Sequence, residues 1–260
     1  FSTGNTWNVS ASGTATQTRT SVDEYPNGWW RLSVSGSFSN QNAYYIHIDL
    51  EGGEGDVGFT GNGSDGMYVW GVQFESGSYP SSYIPTNGGV VERGFDNVVI
   101  DEEDFTDFYN PLESSVLAVG TVKRPVSAQG QLNILNIGDS NADGHGIFRE
   151  HGTKDVWYHI RNNNTTPTGG NLNPSGFGDW SEGKEAKIAI AFKDGDQAIS
   201  VNGGNQVTAT VTSSYPTNNI TKMWIGSAGG NGSGQFEGTI KRIAYYSKLL
   251  TDNQLNTLTA

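Results

Sequence analysis

Between residues 139 and 150 the chain reads DSNADGHGIFRE, with oxygen-bearing side chains at the first, third and fifth positions, glycine at the sixth and an acid at the twelfth. That is the spacing of a calcium loop. A hard divalent cation takes about six to eight oxygens, and closely spaced carboxylates on a tight turn supply them. Asp139, Asn141 and Asp143 are therefore the candidate metal ligands, with Ca²⁺ as the expected ion. Glu150 would be carried away along a second strand, because residues 132–137 and 146–150 read as strands and not as the helices of an EF-hand. The competing reading is a hairpin at Asp143-Gly144 whose Asp and Asn side chains bond their own backbone.

A second chemistry is sugar binding. A pyranose stacks its CH face on an aromatic ring and offers hydroxyls at its edge to amides and carboxylates. Trp157, His159 and Arg161 share one strand parity, opposite Val156, Tyr158 and Ile160, and a long polar loop over 162–178 leads from them to Trp180. Trp29, Tyr45 and His47 take the outward parity of two earlier strands. These seven residues are the glycan-contact candidates. The competing reading makes the rings packing surface against a neighbouring domain or subunit.

Catalysis finds little support in the residues. No strand carries E-x-D-x-x-E, the pattern that places two carboxylates on either side of a glycosidic bond. The acids Asp101, Glu102, Glu103 and Asp104 are contiguous, so their side chains diverge, and a solvated loop is expected there. His47, His145, His151 and His159 form no H-x-x-x-H pair, and His145 and His151 read as polar surface flanking one hairpin. The glycine-rich run 226–234 does not lie between a strand and a helix start, which argues against a phosphate cradle. The expectation is a protein that is not an enzyme.

The elements that would carry these residues are strands. Thirty-six glycines, 34% hydrophobic and 11% aromatic residues, with Asn, Ser and Thr throughout, suit many short strands joined by tight turns. There is no cysteine, so neither disulfides nor thiolate metal sites can hold the fold. A net charge of −12 repels nucleic acid and anionic membranes. No run approaches the ~18 apolar residues of a membrane span.

The predicted fold class is all-β: two antiparallel β-sandwich (jelly-roll) domains, the second ending in a short helix. The first domain is placed at 1–76, an extended Pro/Gly/Ser connector at 77–89 and the second domain at 90–260. In the first, Trp30, Leu32, Val34 and Phe38 are expected to point inward, as are Tyr44, Ile46, Ile48 and Leu50, with Tyr25-Pro26-Asn27-Gly28 as a turn. Tyr68, Trp70, Val72 and Phe74 alternate as a closing strand. Five or six strands are few for a closed sandwich, so the first domain is expected to be incomplete or completed by another chain. In the second, about ten short strands imply two packed sheets. Thr251 with Gln254 three residues on predicts a capped terminal helix, with Leu255 and Leu258 on its buried face.

Specific stretches also resemble a known group. YVWGVQFESGSYPSSYIPT (68–86) resembles a recurrent segment of bacteriophage and prophage virion proteins of tail-fibre, head-binding or decoration type. NGWWRLSVS (27–35) and FTGNGSDG (59–66) look like a strand and a turn of the same proteins. AIAFKDGDQAISVNGG (189–204) and GTIKRIAYYSKLLTDNQLNTLT (238–259) are similar to the ending of their concanavalin A-like, laminin-G-like domains.

The resemblance implies a carbohydrate-binding-like jelly roll followed by a concanavalin A/LamG-like sandwich. It implies a virion structural protein in a tail-fibre, spike or capsid-decoration role, located on the extracellular particle. Expected partners are other virion subunits, a second copy of the chain and a cell-surface glycan, with neither nucleic acid nor membrane insertion. The alternatives are a polysaccharide depolymerase or its glycan-binding accessory module, and a cellular laminin-G-like adhesion module.

Overall fold

The computed structural model describes residues 15–38, 48, 60–64, 66–77, 80–126, 130–140, 143–162, 164–167, 170–173, 179–204, 206–211, 220–230, 232 and 234–260. The chain divides into two compact units, Phe1–Arg93 and Gly94–Ala260.

In the first unit β1 (Ala15–Glu24) pairs antiparallel with β2 (Trp30–Phe38). The intervening turn forms as its residues predict. Asn27 and Gly28 both take positive φ, and the Tyr25 N–H closes on the Trp29 carbonyl at 2.8 Å. The inward face is another matter. Leu32 and Val34 are exposed, as is Val22, which pairs across from Leu32. The partnered side is instead the polar one, where the Ser21 and Ser33 hydroxyls meet and Arg31 donates to the Ser81 carbonyl. The strand expected over 44–50 lies outside the described residues apart from Ile48.

The expected closing strand at 68–74 does not form. Gly71 takes a φ of 68°, which breaks the extended run. Among the described residues no ladder partner replaces the lost regularity; the connector does. Gln73 Oε1 accepts from the Ile84 N–H at 2.7 Å, and Glu75 accepts from the Ser81 N–H at 2.7 Å and the Ser81 hydroxyl at 2.6 Å. The Trp70 and Tyr83 rings lie 4.7 Å apart. Residues 80–84 thus double back onto 70–75 within the first unit.

The second unit is a sandwich. In chain order it has β3 (Val98–Asp101), α1 (Glu102–Thr106), β4 (Glu113–Val122), β5 (Leu132–Ser140), β6 (Asp143–Arg149), β7 (Val156–Arg161), β8 (Asn171–Leu172), β9 (Glu185–Lys193), β10 (Asp196–Val201), β11 (Val207–Ala209), β12 (Lys222–Ile225), β13 (Gly238–Tyr246) and α2 (Asp252–Thr259). One sheet has the order β11-β10-β9-β4-β13 and the other β3-β12-β5-β6-β7-β8, with every pairing antiparallel.

Alternation decides which side chains meet between the sheets. Val116, Ala118 and Val122 of β4 with Ile188, Ile190 and Phe192 of β9 face Leu135, Ile137, Ile147, Tyr158 and Ile160 of the six-stranded sheet. The opposite parity of β4 and β9, Leu117, Val119, Ala189 and Ala191, is buried too, under Leu250 and Leu255 at and just before α2. This explains the near-continuous apolar run of β4: both its faces are covered. Thr251 and Gln254 form the reciprocal capping box that starts α2, as their spacing predicts.

Two expectations change here. The acids at 101–104 are not loop: Asp101 ends β3 at the N-cap position of α1, without a side-chain cap bond, and Glu102, Glu103 and Asp104 form the first turn, where carboxylates favour the helix N-terminus. Phe105 anchors that turn, fully buried and stacked on Tyr109 at 4.5 Å. His145 is not surface but 1% exposed, between the sheets.

Candidate functional site

The outward face of the six-stranded sheet is built from the residues that alternate with that core. Register places Trp224, Asn136, Gly146, His159 and Asn171 side by side across β12, β5, β6, β7 and β8. A second row runs Asn133, Phe148, Trp157. Gly146 is glycine because a Cβ there would stand 3.0 Å from His159 Nε2 and 3.1 Å from Asn136 Oδ1.

The parity read for β7 holds, with Val156, Tyr158 and Ile160 in the core and Trp157, His159 and Arg161 opposite. These residues do not form an open platform, however. Trp157 is half-buried and lies nearly parallel to Phe148 at 6.4 Å, and His159 is 5% exposed with its ring 4.9 Å from Phe148. Burial, and then the neighbouring Arg161 charge, lowers the His159 pKa to about 4, so it is neutral at pH 7.

Trp180 must be corrected outright. It is fully buried, packs on Phe236 at 5.4 Å and donates its indole N–H to the Gly120 carbonyl at 3.0 Å, so no ring face is available to a sugar. In the first unit Trp29 is exposed, while Tyr45 and His47 lie outside the described residues.

The residues of the calcium-like segment fall on the β5–β6 hairpin, where Ser140 pairs with Asp143. The two backbones touch: a Cβ on Gly138 would stand 2.0 Å from the Asp143 carbonyl oxygen, and one on Gly144 would stand 2.1 Å from that of Ile137. Asp139 accepts from the Thr221 N–H at 3.0 Å and its hydroxyl at 2.7 Å, which turns this carboxylate toward the segment entering β12. Asn141 lies outside the described residues. Among the described residues no group of three His, Asp or Glu side chains gathers to hold a metal ion.

A cleft of about 340 Å³ opens at the Asn133 end of this face, lined by Arg124, Gly130, Gln131, Asn133, Gln235 and Glu237 among others. Its roof is the glycine-rich segment between β12 and β13. The Phe236 N–H closes this loop on the Gly226 carbonyl at 2.8 Å. Asn133 tacks it down through backbone and side-chain N–H groups to the Gly234 carbonyl at 3.0 and 3.1 Å, and Asn136 does so through the Ala228 carbonyl at 3.1 Å. Gly230 rests on the Trp224 ring so closely that a Cβ would meet it at 2.8 Å. Glycines are needed because the loop lies flat on the sheet.

The walls are polar and organised. Arg124 pairs with Glu237: Nη1 donates to Oε1 at 3.2 Å, and Nε lies 3.2 Å from Oε2 without a hydrogen bond. Beneath it Arg149, 1% exposed, donates to the carbonyls of Arg124 at 3.1 Å and of Pro125 and Trp180 at 3.3 Å. Burial, and then the Arg124 charge, lowers the Arg149 pKa, with Glu237 opposing the change. Gln131 donates to Glu150 at 3.0 Å. Gln235 Nε2 is buried without a hydrogen-bond acceptor.

None of the residues of this cleft stood out in the sequence. Arg124 and Glu237 are 113 positions apart, so no local pattern pairs them. The available signal was the glycine-rich run itself, since a loop of that composition between two strands can lie close over a sheet face.

No family model matches the sequence, and no curated protein matches it. Solved structures do resemble it in fold. The CBM40 of the Ruminococcus gnavus IT-sialidase bound to α2,3 sialyllactose matches with a TM-score of 0.51 at 13% identity, covering 64% of this chain and 94% of its own. The same module bound to α2,6 sialyllactose matches at 0.52 and 12% identity, covering 65% and 96%. The leech intramolecular trans-sialidase matches at 0.51 and 15% identity, covering 63% of this chain and 26% of that one. About two thirds of the chain therefore shares a β-sandwich jelly-roll fold with these structures.

Proposed function

We propose that Gly94–Ala260 is a non-catalytic glycan-binding sandwich, and that the chain is a phage virion structural protein (tail fibre, spike or capsid decoration) which uses it to attach to host glycan. The observation that carries the binding proposal is the cleft. It has the volume of a small ligand pocket, and guanidinium, carboxylate and amide groups converge on it from three separated segments. The fold shared with a module solved on sialyllactose adds support. The virion role rests on the segments at 27–35, 59–86 and 189–259 that resemble virion proteins. Attachment through one small cleft would be weak, and many copies on a symmetric particle would multiply it.

Copy-to-copy contact fits the first unit. Tyr68, Trp70, Val72 and Phe74 are 89, 71, 58 and 62% exposed. Copies of a chain with net charge −12 repel each other except where the surface is uncharged, and residues 66–74 carry no charge. A second copy is therefore the occupant we assign to this ribbon.

Binding is tested on a glycan array with the whole chain. Retained spots that are lost in a Gln131→Ala variant of unchanged melting temperature are expected, and a blank array would remove the proposal. Release of reducing ends from bacterial surface polysaccharide would replace it with a depolymerase. For the ribbon, Trp70→Ser should shift the light-scattering mass toward one chain; an unchanged mass would sink that part. Antibody labelling of particles by electron microscopy tests the virion assignment.

A further inference from the structure

The charged groups of the cleft are already matched to one another, and this bears on what it can hold. Arg124 has two of its nitrogens 3.2 Å from Glu237 oxygens, and Gly130 packs beside its terminal nitrogens, 3.5 and 3.7 Å from where a Cβ would stand. Arg149 is buried below the floor with its terminal nitrogens on three main-chain carbonyls. On the same face Lys222 places its ammonium 5.9 Å from the centre of the Trp224 ring, and neither Lys222 nor Arg161 lines the cleft. What faces a ligand is the Arg124–Glu237 pair, the carboxamides of Gln131 and Gln235, and the buried Gln235 N–H that lacks an acceptor.

We infer that the cleft selects an uncharged, hydroxyl-rich sugar and rejects acidic ones. A hydroxyl donates to a carboxylate or amide oxygen and accepts from an amide N–H, so it can answer every group present. A carboxylate only accepts. It would meet Glu237 and have to compete with that carboxylate for Arg124, and would approach a molecule of net charge −12. This selectivity differs from that of the module solved with sialyllactose, an acidic sugar, despite the shared fold. The inference rests on the reading that the cleft binds glycan.

The test is calorimetric titration of the whole chain with matched probes: lactose, maltotriose and chitotriose against 3′-sialyllactose and trigalacturonate. A preference of about tenfold or more for neutral probes is expected, and their affinity should stay constant between about 20 and 500 mM NaCl, because no ion pair to the ligand is screened. Preference for the acidic probes, or less than that margin, overturns the selectivity and leaves glycan binding standing. No heat with any probe overturns both. Glu237→Gln frees the Arg124 guanidinium, so it should raise affinity for trigalacturonate by about tenfold, with a salt dependence the parent lacks. Gln235→Ala should weaken neutral probes without that gain. A Glu237→Gln variant that folds and still rejects trigalacturonate would show that the ion pair does not set the selectivity.

Discussion

His145 Nδ1 and the Tyr158 hydroxyl lie 3.1 Å apart in the layer between the two sheets, with the imidazole also against Phe192 at 5.6 Å. Burial, then the charge of His159, lowers the His145 pKa to about 3, and burial raises that of Tyr158 well above its ordinary value. Both groups are neutral partners at any pH the folded protein meets in ordinary use.

Stability should therefore depend on pH through His145 and His159. Folded pKa values of about 3 and about 4 lie below the 6.5 of an unperturbed histidine, so the unfolded chain takes up protons first as the pH falls. The full contribution is present above about pH 6.5 and is lost progressively down to about pH 3, on the order of a few kcal/mol per histidine across the window. Urea midpoints at pH 7 and pH 5 check this. His159→Gln should flatten part of the slope, and equal parent midpoints would refute the account.

Trp180→Phe removes the indole donor to Gly120 and part of a fully buried ring. A loss of about 1–3 kcal/mol is expected from the unmade hydrogen bond and the lost packing, read as a lower melting temperature. Saccharide affinity of the folded variant should be unchanged. A selective loss of affinity would return Trp180 to the binding surface.

Gly146→Ala inserts a methyl between the His159 ring and the Asn136 amide, both about 3 Å from the Cβ position. Overpacking there should cost about 1–3 kcal/mol. Because Asn136 holds the loop that roofs the cleft, hydrogen exchange at Ala228 should accelerate more than at Ile199 in the core. Uniform acceleration would argue against that link.

The helical end of the chain separates two contributions. Thr251→Ala should cost about 1 kcal/mol by removing the cap, whereas Leu255→Ala should cost about 2–5 kcal/mol by opening a cavity under α2. Chemical denaturation of both variants gives the comparison.

Calcium is the simplest expectation to check. With the Asp139 carboxylate accepting two bonds from Thr221, millimolar Ca²⁺ should leave the melting temperature unchanged. A rise would assign the β5–β6 hairpin a metal site.

Much of the second unit was legible because its strands obey strict alternation. β7 begins and ends where its parity begins and ends, and the Thr251–Gln254 box marks the start of α2. What alternation cannot convey is what covers the outer face. Trp157 and His159 have the parity of exposed residues, yet one is half-buried and the other nearly fully so. Nor can it locate Trp180, which reaches the core from irregular chain. The 68–74 run shows the reverse failure: the alternation is present, but a positive φ at Gly71 and side-chain bonds from the connector override it. The cleft depends on segments distant in sequence, so only the fold could assemble it.

The clasp between Gln73–Glu75 and Ser81–Ile84 has a mechanical meaning. Its three hydrogen bonds close a short loop of chain without joining a sheet. Tension along the polypeptide would reach these few bonds one after another, whereas a strand sheared from a sheet resists through many bonds at once. The clasp thus stores length: once its bonds and the Arg31–Ser81 contact to β2 open, up to roughly 35 Å of chain, the fully extended span of the loop, would be released.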